Sequence, residues 1–473
     1  MSMIQSITFL SEYADGTVDA NYTLDGTEII PATAEFNFMI RPQAAATKLA
    51  EMGASAISMQ SYYTRTRSNF DFTDLPILDV SANGSILSIS VSLENITEAF
   101  FRRYTTASAF MNITDGVSDI STEPIAMVSK ALPDLSSYHS ANSYLIIQSG
   151  DYRIKAVKGN SNERVGDVMS AEVLWESYGT SEAPVPGSLI SNVSVDGDYV
   201  TFRTSDNFKE GNAVIAAKDF AGDILWSWHI WLVEDEIYEH TYASNAGVLM
   251  DRNLGALSTK PGDEETYGLL YQWGRKDPFI GLVGGRYTPA TSTIEWSSAT
   301  CSSTIGTIEY ATMNPTTFIK INQNLSNNHS DWFYTGTKEP DHTRWASNKT
   351  VYDPCPIGWR VPDGGSNGVW AKAKLPTSIE YDSYGTMFSS PYCDYDAWYP
   401  FSGGISGYSA SYTIDATSNL NGWYWSVTPN SGSSSYKYYS YGLAIRTDGT
   451  LKRDYTGPHA HAHAIRCQKV NND

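Results

Sequence analysis

The sequence predicts a mainly β protein in which two β-sandwiches precede an α+β domain. Short stretches alternate apolar and polar residues and end in turn residues such as "VSANGS", a pattern typical of antiparallel strands. Aromatic residues reach 13% while charged residues make up only 18%, a balance that suits an extracellular β protein better than a helical cytosolic enzyme. A chain of 473 residues has room for roughly two to four domains.

The first predicted sandwich covers residues 1–131, where the candidate strands are "QSITFLS", "AEFNFMIRP", "SILSISVSLE" and "ASAFMNITDG". The stretch "AAATKLAEMGA" predicts one short helix among them. The second sandwich covers residues 132–236 and ends in the candidate strand "ILWSWHIWLVED". Alternation along that strand places Trp226 and Trp228 on one face, and we expect both rings in the core or in packing between domains.

The third predicted domain, residues 237–473, has long loops, short strands and one weak helix at "NGVWAKAKL". All four cysteines lie here: Cys301, Cys355, Cys393 and Cys467. An even number clustered in one region indicates two disulfides in an oxidising compartment, with three possible pairings. Their spacing fits neither a zinc site nor a CxxC redox pair.

The formal charge of −20 keeps the chain soluble and argues against nucleic acids and anionic membranes as partners, because both require basic patches. No apolar run approaches the roughly 20 residues that a transmembrane helix needs, so we expect no membrane insertion. The start, "MSMIQSITFL", lacks the basic and apolar regions of a signal peptide. The chain has no GxSxG, HExxH or phosphate-loop motif, and we expect no enzymatic activity, cofactor or metal.

The segment "NSGSSSYKYYSYG", residues 430–442, places four tyrosines among serine, glycine and asparagine. From residue 381 to residue 441, 17 of 61 residues are aromatic, twelve of these are tyrosine, and only five residues are charged. Tyrosine has an apolar ring and a polar tip, which suit a half-exposed position better than a core. Because the same residue types dominate antibody binding loops, we interpret this region as a face that binds a glycan or protein ligand.

Several motifs resemble those of known surface proteins. "SANSYLIIQSGDYRIKAVKGNSN" with "EGNAVIAAKDFAGDILWSWHIWLVED" resembles a module of Bacteroides-type fimbrillin-family proteins, and "VLMDRNLGALS" with "GLLYQWGRKDPF" resembles the segment that follows it. "DPCPIGWRVPD", "NGWYWSVTP" and the terminal "AIRCQKV" resemble the Fibrobacter succinogenes major paralogous domain, which is related to the C-type-lectin and formylglycine-generating-enzyme folds. The chain departs from the family at Ser143, where the family usually has cysteine, so no thiol chemistry is carried over.

This resemblance implies two immunoglobulin-like or fimbrillin-type sandwiches and a C-type-lectin-like ligand-binding domain. It implies an extracellular adhesin at a cell surface or pilus tip, with pilus subunits as partners of the N-terminal domains. In the same fold, some proteins carry a retroelement-diversified binding face at the position of the tyrosine-rich segment. The alternative is a structural component of a pilus or phage virion whose aromatic face packs against other subunits.

The resemblance also implies a disulfide and a set of site residues. The usual C-type-lectin arrangement implies Cys355–Cys467, which leaves Cys301–Cys393 by exclusion. The candidate ligand-binding residues are Tyr436, Tyr438, Tyr439, Tyr441, Trp398, Tyr399, Tyr408, Asn421 and Ser434. Packing inside a loop or against another subunit is the alternative for the four tyrosines of the segment, and core packing is the alternative for Trp398 and Tyr399.

The stretch "HAHAHAIRC" places His459, His461 and His463 at every second residue, so that in a strand they share one face about 6.5 Å apart. Two such imidazoles could chelate a divalent metal. Because the sequence identifies no acidic ligand nearby, we expect a polar strand face instead.

Overall fold

The computed structural model describes residues 4–10, 22–24, 33–66, 69–94, 106–114, 119–129, 133–283, 288–325, 329–337, 339–382, 384–412, 421–430 and 436–470. The protein is mainly β, as the sequence predicts, and it divides into two compact units. The first comprises Met1–Ser137 and Asp151–Arg153, and the second comprises Tyr138–Gly150 and Ile154–Asp473. Among the described residues, no helix has the length and apolar character needed to cross a bilayer.

The first unit is a sandwich of two sheets. Its strands are β1 (Ser6–Leu10), β2 (Tyr22–Leu24), β3 (Thr33–Arg41), β4 (Ile57–Thr66), β5 (Asn69–Leu75), β6 (Ile77–Asn83), β7 (Ile86–Ser92), β8 (Thr106–Thr114), β9 (Asp119–Ser121) and β10 (Ile125–Ser129). One sheet has the order β1-β3-β7-β6, and the other has the order β2-β10-β8-β4-β5 with β9 paired to β8. Helix α1 (Gln43–Met52) and a 3-10 turn, Gly53–Ser55, lie between β3 and β4.

Alternation explains why these strands form a sandwich. Along β3, Phe36, Phe38 and Ile40 are fully buried while the residues between them are more exposed. Their side chains share one core with Met59 and Met111 of the other sheet. Leu49 of α1 is buried in the same core. The four strands and the short helix predicted for this segment are therefore confirmed.

The second unit begins with seven strands, the last of which is the predicted strand "ILWSWHIWLVED". They are β11 (Ser143–Ile146), β12 (Asp151–Lys155, which belongs partly to each unit), β13 (Ser170–Ser177), β14 (Ile190–Asp196), β15 (Tyr199–Thr204), β16 (Gly211–Lys218) and β17 (Ile224–Leu232). One four-stranded sheet has the order β11-β17-β16-β13, with β11 parallel to β17. The strands β14 and β15 form an antiparallel hairpin.

Strand β17 is buried on both faces. Trp226 and Trp228 are 2% and 1% exposed, which confirms their predicted packing, but Ser227 and His229 on the opposite face are buried as well. The hydroxyl of Ser227 donates to the carboxylate of Asp277 across 2.5 Å, so the second face packs on the chain that follows. The second and third sequence segments thus share one core within this unit.

The remainder of the second unit has short strands and long connections. Its strands are β18 (Glu239–Tyr242), β19 (Gly247–Met250), β20 (Tyr271–Gln272), β21 (Leu282–Val283), β22 (Thr288–Pro289), β23 (Ser297–Thr300), β24 (Thr317–Lys320), β25 (Trp359–Arg360), β26 (Gly385–Phe388), β27 (Ala397–Pro400), β28 (Asn421–Pro429), β29 (Tyr439–Arg446), β30 (Leu451–Pro458), β31 (Ala462–His463) and β32 (Gln468–Lys469). The helices are α2 (Ile308–Met313) and α3 (Val369–Lys372), with 3-10 turns at Glu264–Thr266 and Gly365–Asn367. Helix α3 is the weak helix that the sequence predicts.

Two sheets organise this part of the unit. One has the order β18-β19-β32-β25, and the other has the order β28-β29-β30. The turn "TDGT" joins β29 to β30, and Gly449 at φ 78° supplies the left-handed conformation that the turn requires. The tyrosine-rich segment runs into β29, so this hairpin decides which way its rings point.

Candidate functional site

The hairpin of β29 and β30 carries a groove that we call the tyrosine groove. Its volume is about 650 Å³. The lining residues are Thr377, Tyr436, Tyr439, Leu451, Lys452, Arg453, Asp454, Tyr455 and Thr456. The two strands pair antiparallel, with Tyr441 opposite Thr456 and Gly442 opposite Tyr455.

Two predicted tyrosines form one wall of the groove. Tyr436 is 48% exposed, and its ring meets the half-buried ring of Tyr439 edge to face at 5.2 Å. The quadrupoles of aromatic rings favour this edge-to-face arrangement, so the contact stabilises the orientation of both rings. Burial raises the pKa of Tyr439, and its hydroxyl contacts the side chains of Ser330 and Tyr408. Tyr439 is therefore a neutral hydrogen-bonding group at physiological pH.

The opposite wall supplies charge. Lys452 and Asp454 are exposed and Arg453 is partly exposed. Within the part of the chain that the structure describes, none of these three side chains forms an ion pair. Both signs of charge thus stand beside the rings of Tyr436, Tyr439 and Tyr455, available to hydroxyl, amide or charged groups of a ligand.

A buried network supports the groove from inside. Asp331 accepts from Nδ1 of His459 at 2.9 Å, and Nε2 of His459 accepts from the hydroxyl of Ser440 at 2.9 Å. Asp331 also forms an ion pair with Arg344. His459 stacks on Trp273 with ring centroids 4.1 Å apart. Burial alone would raise the pKa of Asp331, but Arg344 and His459 hold it well below its usual range.

The order Ser440–His459–Asp331 is that of a hydrolase triad, so its setting matters. All three side chains are 0% exposed, and a fully buried hydroxyl cannot meet a substrate. Burial also lowers the pKa of His459 to about 4. We interpret the network as structural: it fixes β29, and with it Tyr439, against the loop before β31.

The remaining tyrosines of the segment point elsewhere. Tyr438 is 3% exposed, and its ring packs against His329 at 4.6 Å, so its predicted place on the binding face is wrong. Tyr441 is half-buried, and its hydroxyl lies 3.5 Å from the amide oxygen of Asn430. Tyr438 precedes β29 whereas Tyr439 and Tyr441 lie inside it, so the backbone direction changes between neighbouring rings.

The predicted site residues outside the segment have mixed positions. Trp398 and Tyr399 are 5% and 0% exposed, so they belong to the core and not to a binding face. The hydroxyl of Tyr399 lies 2.6 Å from that of Tyr242 and accepts from Nε1 of Trp370, which gives its polar tip internal partners. Tyr408 is 48% exposed, and its role in ligand binding stays a prediction.

Two predicted residues cannot be placed by side chain. Asn421 begins β28, where its backbone pairs with Arg446. Its side chain and the whole of Ser434 lie outside the described residues.

One of the two expected disulfides is present. Cys355 and Cys467 are bonded, with Cα atoms 6.1 Å apart and a sequence separation of 112, which confirms the implied pairing. The Cys301–Cys393 pairing is wrong, because both thiols are free and buried in different cores. Each thiol instead donates to a backbone oxygen, Cys301 to Trp332 and Cys393 to Tyr395. Burial raises the pKa of Cys301 to about 12 and that of Cys393 to about 11.

The expectation of a polar strand face at the three histidines is also wrong. His459, His461 and His463 are 0%, 5% and 1% exposed. Aromatic rings surround them, because β31 and its flanks run through the core between Trp273 and Trp425. No cluster of three or more His, Cys, Asp or Glu side chains suited to a metal occurs among the described residues.

Sequence reasoning missed the second wall of the groove. The residues Lys452, Arg453, Asp454 and Tyr455 follow the turn at Asp448-Gly449. A DG dipeptide between alternating stretches is a hairpin signal, and pairing β30 with β29 would have brought Tyr455 beside the tyrosine-rich segment.

Comparison with known proteins gives little further information. No family model and no curated protein matches the chain. It is similar to two marsupial T cell receptor chains. The first has 8% sequence identity, and the match covers 48% of this chain and 99% of that chain with a TM-score of 0.16. The second has 9% sequence identity, and the match covers 45% of this chain and 97% of that chain with a TM-score of 0.15. It is also similar to the N-terminal Ig1-2 module of the Drosophila receptor protein tyrosine phosphatase DLAR, at 11% over 45% and 94% with a TM-score of 0.13. Similarities at these TM-scores carry no argument about this chain.

Proposed function

We propose that this chain is a non-enzymatic surface adhesin that binds a glycan or protein through the tyrosine groove. One observation carries the proposal: Tyr436, Tyr439 and Tyr455 line a single groove together with Lys452, Arg453 and Asp454. Large aromatic rings that remain partly exposed keep apolar surface in contact with water, which is unfavourable until a ligand covers it. Charged groups at the same surface give such a ligand polar anchor points.

A glycan fits these features well. Sugars present apolar C–H faces that stack on aromatic rings, and their hydroxyls accept from Lys452 or Arg453 and donate to Asp454. The neutral hydroxyl of Tyr439, held by Ser330 and Tyr408, adds a fixed hydrogen-bonding group. A protein ligand uses the same residue types, and the experiment below distinguishes the two.

An extracellular location accompanies this proposal. The buried disulfide between Cys355 and Cys467 forms in oxidising compartments. The motif resemblance to fimbrillin-family and Fibrobacter-type domains adds that the N-terminal sandwiches contact pilus subunits or the cell surface. A retroelement-diversified sequence at residues 430–442 belongs to the same proposal.

A second candidate function is a structural role in a pilus or phage virion. It is favoured by apolar surface outside the groove, where Tyr381, Tyr384, Met387 and Tyr395 are 45%, 38%, 38% and 68% exposed. Subunit packing would cover such surface. On this account the isolated chain has no soluble ligand, and its aromatic face is buried in the assembled particle.

A binding screen separates these accounts. The full chain would be applied to a glycan array and used in pull-downs from cell-surface protein extracts, beside a Tyr436→Ala/Tyr439→Ala/Tyr455→Ala variant. The matched control is Tyr395→Ala, which removes an exposed ring outside the groove. We expect glycan binding that the triple variant loses and the control keeps. Equal binding by the triple variant would refute the groove as the site.

A further inference from the structure

His461 and His463 form a pair inside the core beneath the surface tyrosines. Their ring centroids are 5.9 Å apart and their planes are nearly perpendicular, at 81°. They occupy alternate positions around β31, which pairs with β20 through Tyr271 and Gln272. The side chains are 5% and 1% exposed. Two imidazoles thus lie close together, with nearly perpendicular planes, in a region from which bulk water is almost excluded.

The polar atoms of this pair have no partner within the described part of the chain. All four ring nitrogens of His461 and His463 lack a hydrogen bond. His459, two residues earlier, differs because Asp331 and Ser440 occupy both of its nitrogens. A neutral imidazole offers one lone pair to a metal, and buried polar atoms are rarely left without any partner.

The surroundings hold the rings in place. His463 stacks on Trp425 at 4.2 Å, and Nε1 of Trp425 is itself fixed by the carbonyl oxygen of Tyr271 at 2.8 Å. A second ring, Trp423, stacks on His463 at 5.8 Å. Orientation of this kind by neighbouring groups is what metal-binding histidines need.

The tyrosine side of the pair leads toward the surface. Tyr408, which is 48% exposed, meets His461 edge-on at 5.7 Å. Tyr455, which lines the tyrosine groove, lies 6.2 Å from His463. The pair therefore sits directly below the candidate ligand-binding surface, with an aromatic cover between the rings and the solvent.

The spacing suits one shared ion. A zinc–nitrogen bond is about 2.0–2.1 Å, so two imidazoles bound to one ion have ring centroids roughly 5 to 6 Å apart. The observed 5.9 Å fits this range. We propose that His461 and His463 bind one divalent transition-metal ion of the zinc, copper or nickel class. This proposal is independent of the tyrosine groove's ligand.

Metal titration tests the proposal. The full chain would be stripped with a chelator and titrated with Zn²⁺ by calorimetry and with Co²⁺ by visible absorption. We expect one ion per chain, and the variants His461→Gln and His463→Gln to weaken binding by about tenfold or more. His139→Gln, which changes an exposed histidine, should leave the affinity unaltered. No binding by the wild-type chain, or undiminished binding by both variants, would overturn the proposal.

A second measurement covers the possibility that the variants do not fold. Crystals of the wild-type chain soaked in Zn²⁺ should show an anomalous peak between the two rings. Ordered water alone at all four ring nitrogens in the soaked crystal would overturn the proposal.

Discussion

The hydroxyl of Ser440 lies 2.9 Å from Nε2 of His459, and this bond links the strand that carries Tyr439 to a fully buried charge network. The same imidazole reaches Asp331, which is ion-paired with Arg344. The groove wall is therefore fixed by groups that no ligand can reach. Its rings are positioned before a ligand arrives, which lowers the entropy cost of binding.

Asp331→Asn should destabilise the second unit strongly. Removing one partner of a buried ion pair leaves the Arg344 guanidinium uncompensated, which typically costs about 3–5 kcal/mol. Urea unfolding followed by tryptophan fluorescence would measure the change. The control Asp206→Asn breaks an exposed pair with Arg203, and we expect less than about 1 kcal/mol from it. Similar effects of the two substitutions would contradict the structural role of the network.

Tyr438 and Tyr436 should behave differently although they are two residues apart. Tyr438 is buried against His329, so Tyr438→Ala should cost about 3–4 kcal/mol of unfolding free energy. Tyr436 is half exposed, and Tyr436→Ala should cost less than about 1 kcal/mol. Chemical denaturation of both variants checks this. A destabilisation that is larger for Tyr436→Ala would contradict the burial of Tyr438.

Acid should destabilise the second unit through His229. Burial lowers the pKa of His229 to about 3, and its nitrogens lie 2.9 Å from Ser143 and Asn212. Because the folded-state pKa lies below the unfolded value of 6.5, the unfolded chain binds the proton more readily as the pH falls. Stability is therefore complete above about pH 6.5 and falls by about 1.4 kcal/mol per pH unit toward the folded pKa.

The test is the slope of unfolding free energy against pH between 6.5 and 4.5. His229→Gln should reduce this slope by the amount that corresponds to the uptake of up to one proton on unfolding. His139→Gln changes an exposed histidine and should leave the slope unaltered. Burial raises the pKa of Asp353, so this residue makes stability fall as the pH rises, the opposite of His229. Its contribution is the same in the wild-type chain and in both variants. An unchanged slope in His229→Gln would contradict the neutral, buried assignment.

Thiol counting should find one disulfide. Alkylation of the unfolded, unreduced chain should label Cys301 and Cys393 only, and reduction should expose Cys355 and Cys467 as well. Reduction of the Cys355–Cys467 disulfide, whose cysteines are 112 residues apart, should lower the free energy of unfolding by about 2–5 kcal/mol. A chain with two disulfides, or with none, would contradict the structure.

Sequence patterns predicted the fold more accurately than the site. The alternation of apolar and polar residues identified strands such as β3 and β7, because one face of each strand is buried and the other is more exposed to solvent. It failed at His461 and His463, where polar residues alternate within a strand that the core surrounds on both sides. The free thiols of Cys301 and Cys393 were also not predicted, because an even number of cysteines does not show which of them lie close enough to bond. Composition located the tyrosine-rich region, but only the structure reveals that Tyr436 and Tyr439 line the groove while Tyr438 is buried.

The central claim is that the rings of the tyrosine groove contact a ligand. The most direct measurement is the dissociation constant of the best array or pull-down ligand for Tyr436→Ala, Tyr439→Ala and Tyr455→Ala, each compared with Tyr395→Ala. We expect each groove variant to bind at least about tenfold more weakly, as aromatic hot spots do, and the control to match the wild-type chain. Groove variants that all bind as tightly as the control would contradict the account.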